Sequence, residues 1–288
     1  GTIEVQDEGS QLLVQLVGAK RGEIIVDFCA GAGGKTLAIG AQMANKGRIY
    51  ALDVSEKRLA NLKPRMTRAG LTNIHPEKIH SETDLRIARL AGKADRVLVD
   101  APCSGLGTLR RNPDLKYRQS PDTLASLQTQ QQNILHAAAE LVRAGGRLVY
   151  ATCSILPEEN ENQAEHFLQT HPDFELLDCS ELLAAQKIPL NTGKYLRLDT
   201  ATHHTDGFLA AVFQPLSNHK APPQRQPEIN TRRSGIHARQ TTSAPTSVGQ
   251  QVPNLRAATK FSITRRVCNL LRTLFANSKA ALPLCPNL

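Results

Sequence analysis

Two cysteines stand in short polar motifs, each directly after an apolar run. Cys103 lies in Asp-Ala-Pro-Cys-Ser-Gly at 100–105, and Cys153 lies in Ala-Thr-Cys-Ser at 151–154. A lone cysteine is usually a small buried apolar residue, but small polar neighbours at two successive motifs favour reactive thiols. Because a thiolate is a strong nucleophile, the pair predicts covalent catalysis in one pocket.

A third motif, Asp-Phe-Cys-Ala-Gly-Ala-Gly-Gly-Lys-Thr at 27–36, joins an apolar run to a helical pattern. Glycines at such a junction let the backbone approach a nucleotide-like cofactor. A phosphate-binding P-loop would need glycine where Cys29 stands, although an acid at Asp100 keeps a nucleoside triphosphatase open as an alternative. Asp53 stands 26 residues after Asp27, where the ribose of S-adenosylmethionine needs a carboxylate. A methyl donor is therefore the favoured ligand.

Two thiols beside a methyl donor suit one kind of reaction. The C5 carbon of a pyrimidine is too poor a nucleophile to attack a methyl sulfonium, but thiolate addition at C6 makes it an enamine carbon that can attack. A base must then remove the C5 proton before the thiol leaves, and the second thiol can act there as acid or base. Asp100 can protonate or hydrogen-bond N3 of the base. Lys35, at a helix N-terminus, adds positive charge that favours a thiolate.

These residues need a scaffold that brings several strand ends together. Short β-branched runs alternate with helical patterns along residues 1–217, and four of the runs end at the motifs above. This alternation predicts an α/β fold with a doubly wound, mostly parallel sheet, in which ligands bind at the carboxyl ends of the strands. The predicted strands are 24–28, 48–52, 96–99, 147–151, 174–177 and 207–213, and the predicted helices are 55–69, 121 to the glycines at 145–146, and 158–170.

Charge is unevenly distributed along the 288 residues. The net charge is +9, but residues 218–288 hold 11 Lys or Arg and one acid, so residues 1–217 are almost neutral. We predict one folded domain over 1–217 and a mostly disordered basic tail over 218–288. Within the tail, the apolar residues of 259–277 recur at helical spacing, which predicts a short basic amphipathic helix. The alternative for this segment is a weakly structured extension. No apolar stretch approaches the ~18 residues of a membrane span, and six cysteines without a CxxC pair predict no structural zinc.

The motifs resemble the RsmB/Sun family of RNA cytosine-5 methyltransferases. The resemblance spans about 3–214 and extends to Arg-Arg-Asn-Pro-Asp at 110–114, Pro-Glu-Glu-Asn at 157–160 and Asp-Gly-Phe at 206–208. Val-Gln-Asp-Glu-Gly-Ser at 5–10 resembles the segment that enters the catalytic domain. The resemblance implies a Rossmann-like methyltransferase fold, S-adenosylmethionine as donor, and a cytosine in RNA as acceptor, with ribosomal RNA as the default by analogy.

The resemblance also implies roles for single residues. Cys153 would be the nucleophile, Cys103 would assist release of the product, and Arg110 and Arg111 would contact RNA. The residues implied to line the cofactor are Cys29, Ala30, Gly31, Ala32, Gly33, Gly34, Lys35, Asp53, Asp84 and Asp100, with Glu82 as an alternative to Asp84.

Two departures from the family pattern, a missing upstream segment and the added basic tail, leave a second function open. Family members carry an RNA-binding segment ahead of the catalytic domain, and this sequence lacks it, so we expect a fragment or a domain without part of its substrate grip. A catalytically weak or silent RNA-binding or assembly factor that keeps the pocket is the alternative. A DNA cytosine enzyme would take its nucleophile from the Pro-Cys motif, and an amino-methylating enzyme would need Asn/Asp-Pro-Pro-Tyr. We expect a cytoplasmic monomer that uses no metal.

Overall fold

The computed structural model of the chain describes residues 3–217 and His219. The strands are β1 Ile24–Asp27, β2 Arg48–Asp53, β3 Ile74–Lys78, β4 Ala94–Asp100, β5 Val142–Thr152, β6 Phe174–Leu177, β7 Leu196–Leu198 and β8 Phe208–Pro215. The helices are α1 Glu8–Val17, α2 Gly34–Gln42, α3 Glu56–Ala69, α4 Leu85–Ala88, α5 Leu115–Arg118, α6 Pro121–Ala139, α7 Glu161–Thr170, α8 Cys179–Ala184 and α9 Thr200–His203, with 3₁₀ turns at Leu106–Thr108 and Pro157–Glu159.

All eight strands form one sheet in the order β3-β2-β1-β4-β5-β8-β6, and β7 pairs with β8. β1 pairs in parallel with both β2 and β4, while β8 runs antiparallel to β5 and β6. The chain winds outward from β1 in one direction and then returns to place β4 on the other side. This reversal opens a crevice at the carboxyl ends of β1 and β4. The predicted doubly wound, mostly parallel sheet is confirmed.

Two apolar layers cover the opposite faces of the sheet. Ile25 belongs to the layer that includes α1, α2 and α3, whereas its neighbour Val26 belongs to the layer that includes α6 and α7. Successive strand residues point to opposite faces, so continuous apolar runs are what a sheet covered on both sides requires. The core thereby fixes the strand ends that carry the site.

Capping residues define both ends of α3, and the N-cap is the one that the sequence predicts. The Ser55 hydroxyl accepts a hydrogen bond from the Arg58 amide at 3.3 Å and caps the N-terminus. Gly70 ends the helix in the left-handed region, at a φ of 67°. In α6 the Ser120 hydroxyl caps in the same way, accepting from the Thr123 amide at 3.2 Å.

The predicted helix from 121 to the glycines at 145–146 is wrong only at its C-terminal end. The helix ends at Ala139, and β5 begins at Val142. The two glycines lie inside the strand, where the pairing with β4 shifts register between Ala94 and Arg96. Gly145 has a φ of 69°, and a Cβ on Gly146 would stand 2.7 Å from a Val142 methyl. Glycine here permits a β-bulge rather than a helix end.

The structure also differs from the predicted elements at α7, α1 and β3. The helix predicted at 158–170 begins at Glu161, after a 3₁₀ turn. α1 was not predicted from the sequence, and neither was β3, the edge strand, whose Ile-His-Pro-Glu-Lys sequence lacks an apolar run. Proline is tolerated on an edge strand because that position needs fewer ladder hydrogen bonds. Within the described residues, no helix is long and apolar enough to cross a membrane.

His219 extends the folded part slightly beyond the predicted boundary at 217. Its ring lies 5.0 Å from the Phe174 ring, edge to face, and its Nδ1 lies 2.5 Å from a carboxylate oxygen of Asp173. The other predictions for 218–288, the disordered tail and the helix at 259–277, lie outside the described residues. They stay predictions.

A truncation tests the boundary. A chain that ends after His219 is expected to melt within about a degree of the full chain, because the removed residues are basic and poor in large apolar side chains. A chain that ends after Ser217 also loses the His219 contacts and is expected to melt a few degrees lower, since about 1 kcal/mol shifts the melting temperature of a domain this size by roughly 2–4 °C. Thermal unfolding of the two chains measures the difference, and a large loss after His219 would contradict the predicted boundary.

Candidate active site

A cavity of about 500 Å³ lies at the carboxyl ends of β1, β2 and β4. This is the crevice that the winding of the sheet creates, so one motif at each strand end contributes to it. The predicted site residues that line it are Cys29, Ala30, Gly31, Ala32, Gly34, Lys35, Asp53, Asp100, Cys103 and Cys153.

The glycine loop between β1 and α2 needs glycine at two positions. Gly31 and Gly33 have φ values of 56° and 81°, in the region that other residues rarely adopt. A Cβ on Gly33 would stand 2.2 Å from a Leu62 methyl of α3. Gly33 is therefore the one loop residue predicted at the cofactor that does not line the cavity, and it instead lets the loop pack on α3.

Asp53 is 3% exposed and organises the rim of the cavity. One carboxylate oxygen accepts from the Gly31 amide at 2.8 Å, and the other accepts from the Ser55 amide at 2.7 Å. Arg58 lies 3.2 Å from the second oxygen. A carboxylate has about four acceptor positions, so Asp53 retains capacity for hydroxyl groups of a ligand.

Asp84 does not line the cavity, so its predicted place at the cofactor is not matched by the structure. Its carboxylate caps α4, accepting from the amides of Arg86 at 2.9 Å and His80 at 3.0 Å. The hydrogen bond from the Arg86 amide, followed by that from His80, lowers the pKa of Asp84 below its usual range. Glu82, the alternative, lines the cavity.

Asp27 is the last residue of β1 and lies below the glycine loop. It is almost fully buried, and one carboxylate oxygen accepts from the Thr36 hydroxyl at 2.6 Å. Burial raises its pKa to about 7, against the opposing effect of the Thr36 hydrogen bond. The other oxygen has no hydrogen-bond partner among the described residues.

The two motif cysteines form a thiol pair at the cavity wall. Their Sγ atoms lie 3.5 Å apart, within the range of a sulfur hydrogen bond. The hydrogen bond from Cys103 lowers the pKa of Cys153, and the nearby Lys35 charge adds to this, against burial and Asp100. The same hydrogen bond, with burial, raises the pKa of Cys103 well above its usual range. Cys153 is thus the thiol that ionises first.

Lys35 and Asp100 form an ion pair beside the thiols. The Lys35 Nζ lies 2.7 Å from an Asp100 carboxylate oxygen, across 65 residues of sequence. Burial alone would lower the pKa of Lys35, but the charge and hydrogen bond of Asp100 outweigh it and raise that pKa. The ammonium group therefore stays charged, and its charge lowers the pKa of Cys153.

Arg110 and Arg111 lie in a polar cluster with two acids. Their Nε atoms each lie 2.6 Å from one oxygen of Asp206, which is buried. Asp7 at the N-terminus of α1 contacts both guanidinium groups, at 3.5 Å and 2.9 Å. These arginines tie the N-terminal segment to the 206–208 motif, and their predicted contact with RNA stays a prediction.

The sequence did not place two further parts of the site. Gln6 and Ser10, from the segment before and within α1, line the cavity. Buried Glu159 accepts hydrogen bonds from both serines that follow the two cysteines. The motifs at 5–10 and 157–160 can be recognised in the sequence, but their spacing does not predict where they lie in the site.

The polar groups that line the cavity fit S-adenosylmethionine. Asp53 has acceptor capacity for the ribose hydroxyls, and the glycine loop allows close approach of backbone amides. Asp27 offers an unpaired buried oxygen below the loop. No group of three or more His, Cys, Asp or Glu side chains in the described part of the chain is arranged to hold a metal.

Comparison with known proteins identifies the family. The family model described as "16S rRNA methyltransferase RsmB/F" matches residues 14–214. The chain belongs to the RsmB/F methyltransferase family. It is 39% identical over 219 residues to the Bacillus subtilis protein named "Probable ribosomal RNA small subunit methyltransferase B", and 43% identical over 210 residues to the Synechocystis protein of the same name. The match covers 72% of this chain and 46% of each relative, so the chain spans about half the length of these relatives.

Two solved structures from Pyrococcus horikoshii show the same fold. NSun6 from Pyrococcus horikoshii, crystallised with SFG, is 27% identical with a TM-score of 0.63, and the match covers 73% of this chain and 52% of that one. A methyltransferase homologue from the same organism is 32% identical with a TM-score of 0.60, covering 74% and 68%. The predicted family and Rossmann-like methyltransferase fold are confirmed.

Proposed function

We propose that this RsmB/F domain transfers a methyl group from S-adenosylmethionine to C5 of a cytosine in RNA. The observation that carries the proposal is the thiol pair, with Cys103 and Cys153 Sγ atoms 3.5 Å apart on the wall of the cofactor cavity. Methyl transfer to oxygen or to an amino nitrogen needs no thiol, whereas C5 of a pyrimidine needs covalent activation. The family and its rRNA methyltransferase relatives support ribosomal RNA as the substrate class.

The first half of the reaction uses Cys153. Its thiolate, favoured by Lys35 and by the hydrogen bond from Cys103, adds to C6 and forms a carbon–sulfur bond. The electron pair of the C5–C6 double bond moves into the ring, and C5 becomes nucleophilic. We assign to Asp100 the protonation or hydrogen bonding of N3, which takes up the displaced electron pair. Bound S-adenosylmethionine supplies the electrophilic methyl group that C5 attacks.

The second half uses Cys103. Once Cys153 is bonded to C6, its hydrogen bond with Cys103 and its charge no longer hold Cys103 protonated, and Cys103 can pass its proton to water. Its thiolate then takes the C5 proton, the C5–C6 double bond re-forms, and Cys153 leaves as a thiolate. The net result is one methyl group transferred and one proton released.

The target cytosine must leave its stack to reach this cavity. Enzymes that act on a base take it from a single-stranded region or flip it out of a helix. We therefore expect a loop or single-stranded site to react faster than a duplex site. A monomeric, cytoplasmic enzyme stays our prediction for its state and location.

A methyl-transfer assay tests the proposal. The chain is incubated with transcribed ribosomal RNA and S-adenosylmethionine labelled in the methyl group, and the RNA is digested to nucleosides. We expect label in 5-methylcytidine, identified by its mass and retention. Label in another nucleoside would overturn the C5 assignment. Binding of cofactor and RNA without any transfer would favour the silent RNA-binding factor.

A further inference from the structure

Glu159 joins the two loops that carry the thiols. It is 0% exposed and closes the 3₁₀ turn between β5 and α7. Its Oε2 accepts from the Ser104 hydroxyl and from the Ser154 hydroxyl, each at 2.5 Å. Each serine directly follows one of the two cysteines. One carboxylate oxygen of Glu159 therefore bridges the loop that carries Cys103 and the loop that carries Cys153.

The second oxygen of Glu159 is also satisfied. It accepts from the Ser104 amide at 2.8 Å and from the Gln131 side chain at 3.1 Å. Gln131, in α6, also donates to the Pro102 carbonyl at 2.9 Å. Four donors from two loops and a helix surround the Glu159 carboxyl group, so both of its buried oxygens have hydrogen-bond partners.

The turn that carries Glu159 is itself anchored to β5. The hydroxyl of Tyr150, which is fully buried, donates to the Glu159 carbonyl at 2.6 Å. Asn160 accepts from the Thr152 hydroxyl at 2.5 Å and donates to the Ser154 carbonyl at 3.1 Å. Glu159 is therefore held against β5, the strand that leads to Cys153, and the Cys103 loop reaches it from the end of the adjacent strand β4.

We infer that Glu159 is a positioning residue that sets the distance between the two thiols and so couples product release to attack. The inference rests on the proposed function, because a fixed Sγ–Sγ distance matters only if both thiols act on one base. Satisfied hydrogen bonds in a buried network hold their members in one arrangement, and both oxygens of Glu159 are satisfied. If the Glu159 oxygen no longer accepts from a serine hydroxyl, the loop that carries this serine is held less firmly.

The two serines should divide the effect. Ser104→Ala removes the hydroxyl contact and loosens the Cys103 loop, although the backbone contacts of Ser104 and Pro102 remain, so release slows and the covalent protein–RNA complex accumulates. Ser154→Ala frees the Cys153 loop, which slows attack, so less complex forms. A role in folding alone would lower activity in both variants without raising the trapped fraction in either.

Glu159→Gln provides the direct test, because it keeps the shape of the side chain and replaces one acceptor by a donor. We expect kcat to fall roughly 10- to 100-fold, as misplacement by about 1 Å can cost, with KM for RNA little changed. The denaturation-resistant complex per methyl group transferred should rise several-fold. Glu158→Gln is the matched control, since its neighbouring carboxylate is exposed.

A second measurement does not depend on RNA chemistry. Oxidised glutathione can convert the two thiols to a disulfide, and two glutathione molecules are released as it is reduced. The rate of that disulfide, followed by mass spectrometry, should fall in Glu159→Gln and stay unchanged in Glu158→Gln. A slower disulfide in a chain that methylates no RNA would keep Glu159 as the residue that sets the thiol distance and would remove the proposed function together with the coupling of release to attack. Wild-type disulfide rate and trapped fraction in Glu159→Gln would overturn the inference.

Discussion

Replacing Cys103 by serine is expected to trap the protein on its RNA, whereas replacing Cys153 is expected to abolish both trapping and methylation. The proposed mechanism makes Cys153 the nucleophile, so Cys153→Ser would remove it. Loss of a covalent nucleophile costs at least roughly three orders of magnitude in rate. Cys103→Ser leaves attack and methyl transfer possible but slows removal of the C5 proton. The methylated base then stays bonded to Cys153 through C6.

Denaturing gels with labelled RNA measure this difference. A complex that survives denaturation should accumulate with Cys103→Ser and be absent with Cys153→Ser and with the double variant. Cys179→Ser is the matched control, because burial raises the pKa of that thiol to about 12 and it lies away from the cavity. Trapping by Cys153→Ser would reverse the two roles. If both single variants stay active and untrapped, the thiols are structural.

Replacing Asp53 by alanine is expected to weaken binding of S-adenosylmethionine by about 2–3 kcal/mol, using typical values for hydrogen bonds to a charged group. That is roughly a 30- to 150-fold rise in Kd. Two effects contribute. The ribose hydroxyls lose their acceptor, and the amides of Gly31 and Ser55 lose the carboxylate that holds the glycine loop in place.

Isothermal calorimetry measures the effect on cofactor binding. Glu56→Ala is the matched control, since it removes a carboxylate at the start of α3 that is 78% exposed and paired only with Lys78. Thermal unfolding of Asp53→Ala separates a loosened loop from a lost fold. Unchanged affinity in Asp53→Ala, or binding of ATP with magnesium instead, would contradict a methyl-donor site.

The sequence alone determined which residues stand at the strand ends. Strand and helix alternate along the chain, and each apolar run stops at a motif, so Asp53, Asp100 and both motif cysteines were placed at one edge before any contact was known. Parallel strands force their carboxyl ends together, which turns a pattern along the chain into a shared cavity. The thiols followed from this local pattern, and the family followed from the motifs.

Local patterns failed where a residue serves a role that its neighbours in sequence do not reveal. The glycines at 145–146 carry the signal of a helix end, but the register of β4 makes them a bulge. Asp84 and Glu82 are two residues apart, and only the start of α4 decides that Asp84 caps while Glu82 faces the cavity. Such choices depend on backbone geometry over a few ångströms.

Only the tertiary structure decided how the site is held together. Cys103 and Cys153 are 50 residues apart, and Lys35 and Asp100 are 65 apart, so the order in which the thiols ionise arises from contacts between distant segments. Glu159 gains its meaning in the same way, because its four donors come from the cysteine loops and from α6. Hydrogen-bond partners of a buried charge are set by packing, and packing is a property of the folded chain rather than of spacing along it.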